Sequence, residues 1–557
     1  MLIWPLYGAG FEKLGREGKP LRVPVPQYGP EELLVRHDAV GLCFSDIKVI
    51  RLGPDHPRLT GRNMEQEPVV LGHEVAMTVV GVGERLRKRY HVGDRFIIQA
   101  DIYYRGQGMA YGYVLQGGLS QYAIIGKEIL RGDEGCYLLP VKPETGYAEA
   151  ALTEPWACVE AAYNIRYREG LKDGGVAWFL GCGDAKSSYH LSQGLDKSSH
   201  PRRIVATNLP DPLANFLCQR AEILGIEWVA LDDSAEVTDW SPFDDIIVLG
   251  ATEPTMVEEA AKHLAKGGIL NVVAPRLEGK VRLDIGRLHY DHITFIGTEG
   301  IDIAAAYQPI RSKLLPGGLA WILGAAGPMG HMHVQRAIEL EGGPRKIVAT
   351  NLRSPRILEL KRKFGEAARR RGMELICLTE ERIGSEAYYE RLWEESDEQG
   401  FDDIVVLAPS AEAIERAVDY LAPGGVMNIF AGLPRGTEVA MDVNAIAIQG
   451  IRFIGSSGST IADLRRMLAL TESGALSPNR SVAAVAGMEG ALDGLRAVAE
   501  GRFPGKVVVF PQIASLPLTP LPELRKLLPN VYAKLGKGEV WTKEAEEELL
   551  ATLLVEG

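Results

Sequence analysis

Residues 305–330 read AAYQPIRSKLLPGGLAWILGAAGPMG: a Gly/Pro turn, an unbroken apolar run, and a glycine-rich turn that opens a helix. A short apolar run bounded by turn signals suits a strand buried on both faces, and glycines after it let backbone N–H groups approach a pyrophosphate. The stretch has an echo. AAYNIRYREGLKDGGVAWFLG (161–181) matches its first part, and PRRIVATN (201–208) returns as PRKIVATN (344–351), an offset of 143 (344 − 201). FDDIIVL (243–249) returns as FDDIVVL (401–407) and FIGTEG (295–300) as FIGSSG (453–458), now at 158 (401 − 243), the added residues falling around KRKFGEAARRRG. A period of roughly 150 residues is too long for a solenoid unit and marks a duplicated α/β domain of the doubly wound, parallel-sheet kind.

The flanking sequence differs in kind. Residues 23–125 give short β-rich runs (ELLVRHDAVGL, EPVVLGHEVAMTVVGVG, RFIIQAD, LSQYAII) between Gly/Pro turns, as in an antiparallel, barrel-like domain. After Gly474, SVAAVAGMEGALDGLRAVAEGRFPGKVVVFPQ supplies a helix and a closing strand. The expected division is 1–160 completed by 475–512, then 161–313, 314–474, and a tail of 513–557. The tail ends in WTKEAEEELLATLL with Thr542 as N-cap, and reads as a packing or oligomer element.

With 557 residues, 46% hydrophobic and 24% charged, the chain is globular rather than disordered. A net charge of −12 without a long basic block argues against a nucleic-acid partner. No apolar run is long enough to span a membrane and the start lacks signal-peptide features, so a soluble, cytoplasmic protein is expected. The six cysteines contain no CxxC pair, which leaves a metal site of mixed ligand type. The candidates are Cys43 in GLCFSD, His73 and Glu74 in LGHE, and Glu154 in TEPWACVEA. Singly they have bland readings: a buried thiol, the opening of a strand, a first-turn helix carboxylate. Together, a thiolate, an imidazole and a carboxylate give zinc three protein ligands and an open fourth position, the catalytic arrangement that polarises an alcohol or carbonyl oxygen.

The segments GLCFSD, VVLGHEVAMTVVGVG, YHVGDRFIIQ, GGLSQYAII, LTEPWACVEAAYN and FPGKVVV resemble the zinc-dependent medium-chain alcohol and polyol dehydrogenases. FDDIVVLAPSAEAIERAVDYLAPGGVMNIFAG, IGSSGST and PLTPL extend the similarity to L-sorbose-1-phosphate reductase-like members. The resemblance implies a β-rich GroES-like catalytic domain with Rossmann-like folds, zinc on Cys43, His73 and Glu154, and Glu74 binding or supporting the metal. It implies that Ser45 contacts the substrate oxygen and relays its proton toward Asp46 or Lys48. Where many members carry four cysteines for a structural zinc, this chain has QADIYYRGQGMAYGYVLQGG, so one catalytic zinc and no structural zinc are expected.

Of the two copies, the second is the expected dinucleotide site, through Gly324, Gly327, Pro328, Met329 and Gly330. In the first, Asp184 replaces Gly327, Ser187 replaces Gly330, and Leu213 replaces Arg356, whose family counterpart packs on adenine. A carboxylate and a side chain there oppose a pyrophosphate. Asn351 stands where an acidic residue would select NAD, and Arg353 is close enough to accept a 2′-phosphate, so the cofactor is NAD or NADP. Lys48, Arg51, Arg58 and Arg62 suit a sugar phosphate or a solvated loop. The expected activity is hydride transfer between NAD(P) and a secondary alcohol or ketone of a polyol, sugar or sugar phosphate, in a homo-oligomer (dimer or tetramer). A zinc-free NADPH reductase of the same superfamily and a non-catalytic nucleotide-sensing scaffold are the alternatives.

Overall fold

Leu33–Gly41 (β1) alternates buried and half-buried residues and then runs fully buried to its end. It pairs antiparallel with Glu74–Val82 (β2), Leu33 opposite Val82 and Gly41 opposite Glu74. Arg95–Ile98 (β3), Tyr122–Ile125 (β4) and Leu138–Pro140 (β5) extend the sheet in the order β5–β3–β2–β1, with β4 also on β1. The polar residues buried on β1 are matched: the His37 ring meets Ser120 O at 2.7 Å and Tyr111 Oη at 2.6 Å, and Thr78 donates to Asp38 at 2.5 Å. Helix α1 (Phe44–Leu52) follows β1 directly, and α2 (Tyr147–Ala151) and α3 (Thr153–Ala161) follow β5. The computed structural model describes all residues except 183–187, 233, 353 and 555–557. It divides into one unit of Met1–Ala161, Ala326–Leu340 and Gly458–Gly557, and another of Ala162–Ala325 and Glu341–Ser457.

The second unit holds two parallel sheets. In the first, Val176–Gly181 (β6), Arg203–Thr207 (β7), Glu227–Leu231 (β8), Phe243–Leu249 (β9), Leu264–Val273 (β10) and, after Val281–Asp284 (β11), Thr294–Thr298 (β12) stand in the order β8–β7–β6–β9–β10–β12. Helix α4 (Gly286–Asp291) lies between β11 and β12. Leu319–Leu323 (β13), Lys346–Thr350 (β14), Glu374–Leu378 (β15), Phe401–Val406 (β16), Leu421–Ile429 (β17) and Arg452–Ile454 (β19) repeat that order as β15–β14–β13–β16–β17–β19. Glu438–Met441 (β18) and helix α6 (Val443–Ile448) precede β19. β6 and β13 are buried throughout, as continuous apolar strands covered on both faces should be.

The repeated FDD motif has a structural reason. Arg168 pairs with Asp245 at 3.1 Å and Arg311 with Asp403 at 2.5 Å, while the aspartate before each accepts from the first residue of β6 or β13. Burial pushes both inner carboxyls up to about 6 against the pull of their arginines. Trp178 donates to Thr207 at 3.0 Å and Trp321 to Thr350 at 2.9 Å. The copies differ in their helices: Ser385–Glu395 is a helix between β15 and β16 where the first copy has the 3-10 turn Ser234–Trp240, so most of the added residues fall there and not around KRKFGEAARRRG. β13 leads into helix α5 (Pro328–Glu339), whereas among the described residues no helix lies between β6 and β7.

The chain then returns to the first sheet. Val482–Ala486 (β20), Lys506–Val509 (β21) and Thr519–Pro520 (β22) complete eight strands in the order β2–β1–β21–β20–β22, with Val508 opposite Gly41. The tail ends in α7 (Lys543–Leu554), where the Thr542 hydroxyl accepts from Ala545 N at 3.0 Å as an N-cap does. The Glu546 carboxylate accepts from Tyr147 N at 2.5 Å and Ala148 N at 2.8 Å, capping α2 with a charge at its positive end.

Burial pushes Glu546 up to about 7 despite those two donors. A folded-state value above the unfolded one means that its stabilisation is complete at acid pH and is lost as pH rises through about 7. The variant Glu546→Gln lacks this titration, so its Tm should gain on that of the wild type by the equivalent of about 2 kcal/mol between pH 5 and pH 8. A Tm difference that stays constant over that range contradicts the assignment.

Candidate active site

The register of β1 against β2 builds the site. With Gly41 opposite Glu74, Cys43, two residues past Gly41, is carried toward His73, one residue before Glu74. Cys43 Sγ, a His73 ring nitrogen and a Glu74 carboxylate oxygen lie within 4.8 Å of one another. Asp46, one turn into α1, ties the two segments together, accepting from Cys43 N at 2.9 Å and Gly72 N at 3.3 Å. Gly72 has φ +96°, and a Cβ there would stand 2.9 Å from Val40 Cγ1 and 3.1 Å from Leu119 N, so the turn into His73 requires glycine. Gly41 is equally constrained, since a Cβ would lie 2.0 Å from Glu74 Oε2.

Glu74 is fully buried. Its Oε1 accepts from Lys506 Nζ at 2.5 Å, and its Oε2 has no hydrogen bond. Lys506 reaches it because β21 lies on the other side of β1, fixed by Leu42 N donating to Val507 O at 2.9 Å. Burial works against the ammonium, but Glu74, Cys43 and Glu154 hold its pKa above the ordinary lysine value. His73 Nδ1 stands 3.3 Å from Asp46 Oδ1 without hydrogen-bond geometry. Burial opposes the imidazolium as well, yet Tyr113, Asp46 and Cys43 leave that pKa well above the ordinary value. Glu154, in α3, is not within 4.8 Å of all three donors; burial, with Glu74 and Asp101 adding to it, pushes its carboxyl up to about 7 against His73 and Lys506. A sulfur, a nitrogen and an oxygen donor with unsatisfied Glu74 Oε2 and His73 Nδ1 suit a borderline-soft divalent ion such as zinc, which needs the thiol ionised and the ring neutral.

Ser45 is half-buried in the first turn of α1, and Lys48 is exposed one turn on. The Tyr113 ring lies 5.8 Å from that of His73 and 5.6 Å from that of His56, and the Arg58 guanidinium sits 5.0 Å over it while pairing with Asp101 at 2.5 Å. Arg62 is committed elsewhere, donating to the carbonyls of Glu67 at 2.8 Å, Val114 at 2.9 Å, Pro68 at 3.2 Å and Tyr113 at 3.3 Å. The loop's fold, rather than a free phosphate-binding cation, accounts for that residue. Arg51 stacks on Phe44 at 5.4 Å.

In the second α/β fold, Gly324 has φ +85°, and Gly324 N and Ala325 N donate to Thr350 O at 3.0 and 2.9 Å. Gly327 is the N-cap of α5 with nothing within 4 Å of the place of a Cβ, Pro328 holds the first helical position, Met329 is half-buried and Gly330 is buried. Open space over a helix N-terminus fits a phosphate. Asn351 and Arg356 are half-buried. Arg353, Asp184 and Ser187 lie outside the described residues, and Leu213 is fully buried in Asp211–Leu224.

Three residues that sequence reasoning passed over belong to the site: Lys506, Asp101 and Tyr113. Lys506 stands in the quoted FPGKVVV, and Asp101 and Tyr113 in the stretch read only for its missing cysteines. Their residue types were visible, but the pairing that makes them neighbours was not.

Residues 29–131 match the model of the alcohol dehydrogenase GroES-like domain. The chain is 29% identical over 304 residues to mannitol-1-phosphate 5-dehydrogenase of Aliivibrio fischeri, covering 50% of this chain and 70% of that one. It is 22% identical over 539 residues to L-sorbose 1-phosphate reductase of Klebsiella pneumoniae, covering 95% and 93%. Among solved structures, 2R,3R-butanediol dehydrogenase from Bacillus subtilis shares the fold with a TM-score of 0.52 at 16% identity, over 92% of this chain and 100% of that one. The GroES-like match lies over the Cys43 and His73 segments, and with sugar-phosphate oxidoreductases among its relatives these likenesses support a medium-chain polyol dehydrogenase.

Proposed function

We propose that this dehydrogenase is zinc-dependent and transfers a hydride between NAD or NADP and a secondary alcohol or ketone of a polyol phosphate or sugar phosphate. The observation that carries this reading is the convergence of Cys43, His73 and Glu74 within 4.8 Å. Bound there, zinc would supply Lewis acidity toward the substrate oxygen, and the nicotinamide would accept or give the hydride. Cys43, His73 and Glu74 form the near donor set, with the Glu154 carboxyl as a second carboxyl group beside it. Asp46 is a positioning residue: both of its oxygens are occupied by the backbone N–H groups that set the two ligand turns. Lys506 supplies the counter-charge that a buried glutamate needs.

In the oxidative direction Ser45 Oγ accepts the proton of the substrate hydroxyl as it gives up its own, and that proton leaves to solvent on the side of the exposed Lys48, one turn further along α1. The Gly327 turn and the N-terminus of α5 receive the pyrophosphate. Asn351 removes the carboxylate that would select NAD, so NADP is accommodated too. Arg58 is the cation suited to a substrate phosphate, because it lies over the ring that faces His73 and is still partly exposed.

Purified protein should carry one zinc per chain by inductively coupled plasma mass spectrometry. Cys43→Ala and His73→Ala should abolish zinc binding, and Glu74→Gln should weaken it roughly 10–100-fold or more. Full activity in demonstrably zinc-free protein would favour a zinc-free reductase, and nucleotide binding with no turnover over a polyol and sugar-phosphate panel would favour a sensing scaffold. The variant Arg58→Met should raise KM for a phosphorylated polyol by roughly 10–100-fold, the worth of one charge-assisted hydrogen bond, and leave KM for the unphosphorylated polyol within about two-fold. Equal losses for both substrates contradict the phosphate assignment.

A further inference from the structure

Outside the two six-stranded sheets, β11 and β18 form a separate antiparallel ribbon that joins the two α/β folds. Its register is Val281 opposite Met441, Arg282 opposite Ala440, Leu283 opposite Val439 and Asp284 opposite Glu438. At the 158-residue offset that relates FIGTEG to FIGSSG (453 − 295), Val281 corresponds to Val439, Arg282 to Ala440 and Leu283 to Met441. The ribbon is therefore self-complementary. Arg282 faces its own counterpart, and the pair Val281–Met441 is mirrored by the pair Leu283–Val439. A residue that contacts its partner's counterpart in both directions is the signature of a two-fold, isologous interface.

The neighbouring elements obey the same symmetry. The matching edge strands β12 and β19 pack on one another, α6 packs on β12, and α4 packs on β19. The corresponding residues Val281 and Val439, Leu283 and Met441, and Phe295 and Phe453 are all buried in one apolar core shared by the two folds. The symmetry is broken at one point. Asn444, in α6, donates to Leu277 O at 3.0 Å and accepts from Leu277 N at 3.1 Å, whereas its counterpart (444 − 158) is Gly286, where a Cβ would lie 2.2 Å from Pro434 O. The first fold thus has a glycine under the Pro434 carbonyl where the second has a side chain bonded to the Leu277 backbone.

We propose that the first α/β fold is a built-in partner: it occupies, within one chain, the position that a second subunit would hold across this two-fold, and it covers the β18 and α6 face of the second fold. This gives the first fold a role that does not depend on a helix after β6, where the described residues show none. The geometry it shares with the second fold includes the ribbon side, through β11, α4 and β12.

The full-length double variant Arg282→Cys, Ala440→Cys tests this. Directly opposed residues of antiparallel strands have a Cα separation within disulfide range. Mild oxidation should close a disulfide within one chain, seen as a monomer on a non-reducing gel with the linked peptide pair in the mass spectrum, and hydride-transfer activity should stay within about two-fold. A disulfide-linked dimer would place the pairing between chains, and a folded variant that fails to close would show that the ribbon is not formed; either overturns the proposal. On the unmodified chain, amide exchange in 281–284 and 438–441 should be slow and unchanged over a hundred-fold dilution. Exchange that speeds up on dilution contradicts an intrachain partner.

Discussion

The pairing of Gly41 with Glu74 is the contact on which the site depends. β1 is flanked by β2 and β21, and the functional groups lie where these three neighbouring strands end: Glu74 begins β2, Lys506 begins β21, and Cys43 follows β1 by two residues. A one-residue slip between β1 and β2 would turn every side chain of one strand to the opposite face. The register is held by buried apolar residues along both strands and by the polar matches of His37 and Asp38, so the core specifies where the donors stand. Gly41 belongs to this constraint, because only the absence of a side chain leaves room for the Glu74 carboxylate.

A half-buried thiol, a buried imidazole and two carboxyls are costly without a cation, since each ionised group loses hydration. Lys506 offsets one carboxylate and Asp46 lies against His73, yet Glu74 Oε2 has no hydrogen bond and Glu154 is held up to about 7. Such a set of half-matched groups is expected where a divalent ion completes the electrostatics. The buried Arg168–Asp245 and Arg311–Asp403 pairs show the contrasting case, in which arginine and backbone donors leave no room for a ligand.

Much of this was legible in the sequence. Unbroken apolar strands, the glycine turn and the FDD repeat marked two parallel sheets, and the Cys43, His73 and Glu74 segments were named before their proximity was known. The rest depended on pairing. Lys506 is 432 residues from Glu74, and nothing in FPGKVVV reveals that its lysine faces a carboxylate across β1. Arg62 looked like a phosphate-binding cation because carbonyl partners carry no residue-type signal. Asp184 and Ser187, the residues read as distinguishing the first fold, lie outside the described residues; the described part of the stretch that corresponds to α5, 188–196, forms no helix.

The central claim is that this strand register brings a sulfur, a ring nitrogen and carboxylate oxygen onto one ion. X-ray absorption at the zinc edge of the purified protein measures that directly. The account predicts one sulfur at about 2.3 Å and nitrogen or oxygen donors at about 2.0–2.2 Å. A shell without sulfur, or one dominated by several sulfurs, would contradict it.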